Sequence, residues 1–177
     1  MDSDGDRSEL REWLAERYAP SVRTAYLILG NRADAEDAVQ EAFLRAWRFR
    51  DTVTNRSDSA PWLYRVVVNT CNSMLRREIP HRDRRRPLED LDARASEGAR
   101  DLSASSDVIL ALRDLPTHLR IVIVLRYYAD LSEREIAVAI GRPPGTVKSR
   151  LHEARARLAS HPALSDEECP SPTEELS

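Results

Sequence analysis

The sequence predicts an all-α protein built from two small helical domains joined by an acidic, flexible linker. Apolar residues recur three or four positions apart and do not alternate, which is the spacing of amphipathic helices. Only 6% of the residues are aromatic and only five are glycine, a composition that favours helices over paired strands. With 177 residues, the chain is long enough for one ordinary domain or two small ones, and 41% hydrophobic residues are sufficient for compact cores.

The sequence argues against a disulfide-rich, zinc-binding, secreted or membrane-spanning protein. Cys71 and Cys169 lie far apart, so they form neither a disulfide framework nor a zinc-ligand cluster, and a reducing compartment fits this usage best. The acidic N-terminus MDSDGDRSEL is unlike a signal peptide, and the longest aliphatic run, Ile121 to Leu125, is too short to span a bilayer. We therefore expect a cytoplasmic protein.

An enzymatic function is not indicated. The four histidines are scattered, and the chain contains no HExxH, Walker A, GxGxxG or nucleophile-elbow motif. No set of residues has metal-ligand spacing. The sequence predicts no catalytic site, no metal and no cofactor.

Charge is strongly segregated along the chain, although the net charge is only -3. Residues 76–86 carry six arginines against two acids, a net charge of +4, and residues 141–160 carry five cations against Glu153, again +4. Residues 87–107 between them have a net charge of -4. Two basic blocks separated by an acidic spacer indicate a possible nucleic-acid-binding protein.

The N-terminal domain is expected at residues 9–79, after a disordered segment, 1–8. Its first helix runs from about Glu9 to Leu29 and ends at Gly30 and Asn31, a favoured C-terminal cap pair. The second helix has the clearest amphipathic pattern of the chain. Its apolar stripe is Ala35, Ala38, Val39, Ala42, Phe43, Ala46 and Trp47.

A third helix follows the polar loop at 51–60 and has Pro61 in its first turn. Trp62 lies on the predicted buried stripe and fits a core position better than a stacking platform for bases. The stripe is Trp62, Leu63, Val66, Val67, Thr70, Cys71, Met74 and Leu75. Arg65, Asn69, Asn72 and Arg76 recur along the opposite edge. The helix is thus apolar on one side and polar and cationic on the other.

Residues 80–106 lose the apolar periodicity and are interpreted as a linker, and 161–177 as a disordered acidic tail. The C-terminal domain is expected at 107–160. Its helix LSEREIAVAI starts with a capping box of Ser132 and Glu135. After the tight turn GRPP comes a second helix with Val147, Leu151, Ala154 and Leu158 on its inner face, and the two predict a helix-turn-helix.

In a helix-turn-helix that binds DNA, the second helix enters the major groove and its N-terminal half contacts bases. Lys148, Ser149, His152 and Glu153 lie in that half, while Arg155 and Arg157 are better placed for phosphates. The alternative is a surface helix with a solvated cationic face, since basic helices are common. The capping box and the turn favour the DNA-binding interpretation.

Three segments together resemble the extracytoplasmic-function sigma factors, the smallest class of bacterial sigma factors. DLSEREIAVAIGRPPGTVKSRL resembles their promoter-reading motif, DAEDAVQEAFLRAW the helix that docks on the clamp of core RNA polymerase, and APWLYRVVVNTCNSMLRRE the helix that melts and reads the -10 element. Their order along the chain and the acidic linker between them also match.

The resemblance implies a monomeric initiation factor that binds core RNA polymerase and promoter DNA and is restrained by an anti-sigma factor. Three sets of contacts are implied. Those to the -35 element are Arg142, Thr146, Lys148, Ser149, Arg150, His152, Glu153, Arg155 and Arg157. Those to the -10 element are Asn55, Arg56, Ser57, Arg65, Asn69, Asn72, Arg76 and Arg77, and those to the polymerase are Asp34, Asp37, Gln40, Glu41 and Arg45.

One departure and one rival interpretation matter. Family members often have a basic residue at the position of Glu153, so the -35 sequence read by this chain is expected to differ. The rival is a two-domain DNA-binding regulator whose N-terminal helices dimerise. Such a dimer would present two recognition helices and bind a palindromic site.

Overall fold

The computed structural model describes residues 5–49, 59–78 and 106–164, with side chains described for 8–49, 59–76 and 107–164. These residues form seven α-helices and contain no β-strand, which confirms the predicted all-α class. The helices are α1 (Gly5–Leu29), α2 (Arg32–Arg48), α3 (Ser59–Glu78), α4 (Ser106–Asp114), α5 (Thr117–Tyr127), α6 (Glu133–Ile140) and α7 (Pro144–Ala159), followed by a short 3-10 helix (Pro162–Leu164).

The first three helices form what we call the N-terminal lobe. The predicted α2 stripe is confirmed: its alanines and Val39 are fully buried, and Phe43 and Trp47 pack half-buried against the core. An edge-to-face contact between Tyr18 and Phe43 joins α1 to α2, with ring centroids 5.7 Å apart. The amphipathic pattern therefore identifies the packed face of α2 correctly.

The connection between α1 and α2 is shorter than the sequence suggests. Gly30 has a φ of +76°, the left-handed conformation expected after a helix C-terminus. Helix α1 ends at Leu29, directly before Gly30 and Asn31, as the sequence predicts. Asn31 also caps the start of α2, since its Oδ1 accepts a hydrogen bond from the Asp34 N–H at 3.1 Å. The next helix begins immediately, and its first N–H groups need an acceptor.

Helix α3 is more completely buried than its apolar stripe predicts. Leu63, Val67 and Cys71 are fully buried as expected, and Trp62 packs half-buried against the core. Tyr64 and Val68 lie off the predicted stripe and are also buried, because α3 packs against α1 and α2 and additionally against α6. Burial raises the pKa of the Cys71 thiol to about 12, so this cysteine stays protonated within the core.

The last four helices form the C-terminal lobe. Helix α5 packs against α1, α6 and α7, which explains why Leu119 and all of 121–125 are buried. The predicted capping box at the start of α6 is confirmed: the Ser132 N–H donates to Glu135 Oε2 at 2.8 Å, and the Glu135 N–H donates to Ser132 Oγ at 3.3 Å.

The two lobes pack against each other, and their buried residues form one continuous hydrophobic cluster. Helix α3 lies against α6, and α1 lies against α4 and α5. In the described ranges, no helix is long and apolar enough to cross a membrane. Nor do three or more His, Cys, Asp or Glu side chains in those ranges come together as metal ligands.

Candidate nucleic-acid interface

The geometry of the α6–α7 turn is set by one glycine and two prolines. Gly141 has a φ of +63°. Its N–H donates to the carbonyls of Ala137 and Val138 in the last turn of α6, and the N–H of Arg142 also donates to the Ala137 carbonyl. This is the hydrogen-bonded left-handed cap that glycine adopts most readily. Pro143 then precedes α7 and Pro144 occupies its first turn, where a missing N–H costs nothing. The turn fixes the direction in which α7 leaves α6.

Helix α7 separates an apolar face from a polar one. Val147, Leu151 and Ala154 are buried against α5 and α6. The side chains predicted to contact the -35 element lie on the remaining surface. Arg142, Lys148, Ser149, His152, Glu153, Arg155 and Arg157 are exposed, whereas Thr146 and Arg150 are half-buried.

Two of the α7 arginines have partners within the lobe. Arg157 Nη2 donates to Glu153 Oε1 at 2.9 Å, one helical turn away. Arg155 Nε donates to the Tyr127 hydroxyl at 3.0 Å, which joins α7 to the end of α5. Tyr127 is 59% exposed and was not among the predicted site residues. The available sequence signal was a tyrosine, an aromatic residue with a polar tip, at the end of the aliphatic run 121–125.

The predicted -10 edge of α3 is partly described. Arg65, Asn69 and Arg76 are exposed and Asn72 is half-buried, so these four side chains line one edge of the helix as predicted. Asn55, Arg56 and Ser57, and the side chain of Arg77, lie outside the described residues. The structure therefore carries only the helical part of this predicted surface.

The predicted polymerase-docking face of α2 is mostly exposed. Asp37, Gln40, Glu41 and Arg45 are accessible, and Arg45 Nε donates to Glu41 Oε1 at 2.9 Å. Asp34 is half-buried in the first turn, beside the N-cap. Sequence reasoning missed Leu44, which is 56% exposed and lies between the polar side chains. Its position off the buried stripe of α2 was the available signal.

The two predicted DNA-binding surfaces lie next to each other. Arg65 Nη2 on α3 is 3.7 Å from the position that a Cβ on Gly141 would occupy, at the turn before α7. A cation of the -10 edge therefore lies beside the helix-turn-helix turn. This proximity follows from the packing of α3 on α6.

Comparison with known proteins identifies both lobes. The sigma-70 region 2 family matches residues 14–79, and the sigma-70 region 4 family matches residues 105–158. The chain is 33% identical to the ECF RNA polymerase sigma factor SigE of Mycolicibacterium smegmatis over 91% of this chain and 65% of that protein. It is 35% identical to the ECF RNA polymerase sigma-E factor of Escherichia coli K12 over 82% of this chain and 76% of that protein.

Two solved structures share the arrangement of helices. The sigma factor RpoE of Bartonella quintana, in complex with the anti-sigma factor NepR, superposes with a TM-score of 0.62 at 26% identity, over 84% of this chain and 95% of that one. CnrH, in complex with the cytosolic domain of CnrY, gives a TM-score of 0.64 at 27% identity, over 86% of both chains.

The fold and the two adjoining polar helices define a helical DNA-binding protein of the sigma-70 type. The chain belongs to the extracytoplasmic-function sigma factors of the sigma-70 family, as the sequence resemblance predicted. Sigma factors of this group direct RNA polymerase to specific promoters for transcription initiation. The chain spans about two thirds of the length of the mycobacterial relative.

Proposed function

We propose that this chain acts in the bacterial cytoplasm as a non-enzymatic initiation factor that joins core RNA polymerase and directs it to promoters through -10 and -35 elements. The observation that carries the proposal is the division of α7 into two faces. Val147, Leu151 and Ala154 fix the helix to its lobe, and the N-terminal half exposes Lys148 and its polar neighbours. A helix held in this way can lie in a major groove.

On α7 the proposed roles follow from position. Lys148, Ser149, His152 and Glu153 face outward near the start of the helix and read base edges. Glu153 accepts from a cytosine amine, and the bond from Arg157 holds its carboxylate in place. The remaining residues contact phosphates and fix the position of the helix along the DNA. These residues are Arg142, Thr146, Arg150, Arg155 and Arg157.

On α3 the exposed edge follows the non-template strand of the -10 element. Arg65 and Arg76 lie about three turns apart and supply cations to the backbone, while Asn69 and Asn72 offer donors and acceptors to unstacked bases. Holding bases outside the stack costs a few kcal/mol each, which such contacts offset. The assignments of Asn55, Arg56, Ser57 and Arg77 to the same element stay predictions.

The α2 face is proposed to dock on the polymerase clamp. Leu44 supplies an apolar anchor, and Asp37, Gln40, Glu41 and Arg45 surround it with polar groups. A half-exposed apolar residue within a polar rim is the arrangement that concentrates binding energy at protein interfaces. Asp34 lies at the end of this face, and we assign it a peripheral contact.

We further propose that residues 9–79 form the region 2 domain, 80–106 the linker and 107–160 the region 4 domain. Both solved neighbours are bound to a protein partner: the sigma factor RpoE to the anti-sigma factor NepR, and CnrH to the cytosolic domain of CnrY. By likeness to them, an anti-sigma factor is proposed to restrain this chain.

The decisive experiment is transcription reconstituted with bacterial core RNA polymerase on a promoter library. The wild-type chain is expected to give promoter-dependent transcripts. Lys148→Ala/Ser149→Ala should remove the dependence on the -35 sequence and leave core binding unchanged. Leu44→Ser should weaken core binding and leave binding to a -35 duplex unchanged, because the two faces lie on different lobes. Arg32→Ala, on α2 and paired with Glu36, is the matched surface control.

The rival dimeric regulator makes the opposite prediction. If the chain gives no promoter-dependent transcript with core polymerase and binds a palindromic site as a dimer on its own, the proposal is wrong. Light scattering of the chain with and without DNA measures the stoichiometry directly.

A further inference from the structure

The surface formed by α7 and the turn before it carries more positive charge than the described residues neutralise. Of the five cations in residues 141–160, only Arg157 forms an ion pair with an acid of the described ranges, its neighbour Glu153. Arg155 bonds the neutral Tyr127 hydroxyl and keeps its full charge. The cations without a carboxylate partner in those ranges are Arg142, Lys148, Arg150 and Arg155. They account for the net charge of +4 of this segment.

The chain beyond Leu164 has the opposite charge. Residues 165–177, which lie outside the described residues, contain five acids and no Lys, Arg or His, so their net charge is -5. The acids are Asp166, Glu167, Glu168, Glu174 and Glu175. None of the contacts proposed above with the polymerase or with DNA uses these side chains. In sign and in number the acids match the cations of α7.

The point at which this segment begins is fixed to the C-terminal lobe. His161 Nδ1 accepts from the Ala163 N–H at 3.2 Å, so Nε2 carries the ring proton and donates to Asp114 Oδ2 on α4 at 3.1 Å. The Leu164 N–H donates to the His161 carbonyl at 2.9 Å within the 3-10 helix, which packs on α4. The segment therefore starts from a defined position on the lobe that also carries α7.

The segment is long enough to reach every part of α7. Residues 165–177 can span up to about 43 Å when extended. The 16 residues of α7 span only about 24 Å. A short tether also keeps the acids at an effective concentration in the millimolar range around the cations. At that concentration several weak ion pairs are enough to occupy the surface.

We propose that residues 165–177 act as an intramolecular competitor of DNA, with their acids docked on the exposed cations of α7 in place of DNA phosphates. This inference rests on the proposed DNA-binding role of α7. Carboxylates and phosphates accept from the same Arg and Lys groups, so the segment and the DNA backbone cannot use Lys148 or Arg155 at the same time. The segment lowers the affinity of α7 for every DNA sequence by the same factor. Helix α7 then stays on DNA chiefly where the polymerase and the -10 element supply further contacts.

The first measurement detects the docking without DNA or polymerase. Cys71 is fully buried and burial raises the pKa of its thiol to about 12, so a thiol-reactive spin label attaches at Cys169, the only other cysteine. In NMR spectra of the full chain the label should broaden the amide signals of residues 146–149. Replacing the five acids by Asn or Gln should reduce this broadening several fold. Broadening that is independent of these acids, or that falls on α3 and not on α7, would overturn the proposal.

The second measurement is the affinity for a mixed-sequence DNA duplex of about 20 base pairs, or two helical turns, followed by fluorescence anisotropy. A mixed sequence is sufficient because the competition is with phosphates. The variant without the five acids should bind about three- to tenfold more tightly than wild type at about 50 mM salt, since each exposed ion pair contributes a factor of about two. The difference should narrow as the salt is raised to about 0.3 M, because screening weakens exposed pairs. This variant is Asp166→Asn/Glu167→Gln/Glu168→Gln/Glu174→Gln/Glu175→Gln.

A charge-matched variant of the other lobe is the control. It also removes five acids, so the net charge of the chain changes by the same amount. It should bind the duplex within about twofold of wild type, because its acids lie far along the chain from α7. Circular dichroism of both variants establishes that their helices are intact. The control is Asp2→Asn/Asp4→Asn/Asp6→Asn/Glu9→Gln/Glu12→Gln.

Two results of the affinity measurement would overturn the proposal. Equal tightening in the two variants would show an effect of net charge alone, and an unchanged affinity after neutralisation of residues 165–177 would show that they do not compete with DNA. Both failures are distinct from failure of the proposed function. If the chain gave no promoter-dependent transcript, the spin label and the mixed-sequence duplex would still decide whether the segment docks on α7 and excludes phosphates.

Discussion

The two lobes reach a helical fold in different ways. The N-terminal lobe uses three helices of 25, 17 and 20 residues, whereas the helices of the C-terminal lobe have 9, 11, 8 and 16. Long amphipathic helices are stabilised mainly by the face they bury, while helices shorter than about 12 residues are marginal alone. The C-terminal lobe therefore depends more on satisfied helix ends and turns. We therefore expect the N-terminal lobe to be most sensitive to mutations in its core, and the C-terminal lobe to be sensitive also to mutations at its helix ends and turns.

The largest effect is expected from truncating the core of the N-terminal lobe. Leu63 on α3 is fully buried, and Leu63→Ala should lower the free energy of unfolding by about 2–5 kcal/mol. Urea denaturation followed by circular dichroism measures this loss. Leu44→Ala is the matched control, because Leu44 is 56% exposed and its truncation should change stability by no more than about 0.5 kcal/mol. Similar losses for the two variants would contradict the assigned burial.

The next effect concerns promoter choice in the C-terminal lobe. Glu153→Arg replaces an acceptor of cytosine amines by a donor to guanine, worth about 1–3 kcal/mol of discrimination at one base pair. Selection of active promoters from a library randomised at the -35 element, with core polymerase present, should give a shifted preference at one or two positions. Arg32→Ala, on α2 and paired with Glu36, is the control, because it lies outside the proposed -35 surface and should leave the selected sequences unchanged. Identical selected sequences for Glu153→Arg and wild type would refute this role.

A smaller effect is expected at the start of α6. Ser132→Ala removes one half of the capping box and should lower the free energy of unfolding by about 1 kcal/mol. The pKa of Glu135 also reports on Ser132, because hydrogen bonds from the Ser132 side chain and backbone N–H to the Glu135 carboxylate lower this pKa. In Ser132→Ala this pKa should return toward the ordinary value of about 4.3, which an NMR titration resolves.

The pH dependence follows from the sign of that shift. Since the pKa of Glu135 is lower in the folded chain than in the unfolded chain, its contribution to stability is complete above the unfolded value. The contribution is lost as the pH falls through the folded pKa. The stability difference between wild type and Ser132→Ala should therefore become smaller under acidic conditions, but should not vanish, because the bond from the Glu135 N–H to Ser132 Oγ does not depend on the charge of the carboxylate. A stability difference that is constant across this range would show that the capping box is not the cause.

Local sequence signals predicted the α2 stripe, the capping box at Ser132 and the turn at Gly141, because each depends on neighbouring residues. They did not predict the burial of Tyr64 and Val68, since periodicity assumes one covered face and α3 is covered by both lobes. The bonds of Arg113 and Arg120 to α1 were likewise beyond sequence reasoning. From the sequence alone, a basic residue is interpreted as a surface charge, because the backbone carbonyl that accepts its hydrogen bond is brought close only by the tertiary fold.

The smallest expected effect is the change in DNA affinity when the hydroxyl of Tyr127 is removed. Its hydroxyl accepts a bond from Arg155 Nε at 3.0 Å, and we infer that this bond orients the guanidinium toward a DNA phosphate. Tyr127→Phe should weaken binding to a -35 duplex about twofold to tenfold, since one hydrogen bond contributes about 0.5–1.5 kcal/mol. Arg155→Ala should weaken it further and reduce the salt dependence of binding by about one ion. Tyr18→Phe, on α1, is the control that should leave affinity unchanged. If Tyr127→Phe still weakens binding in an Arg155→Ala background, the hydroxyl acts on DNA directly and not through Arg155.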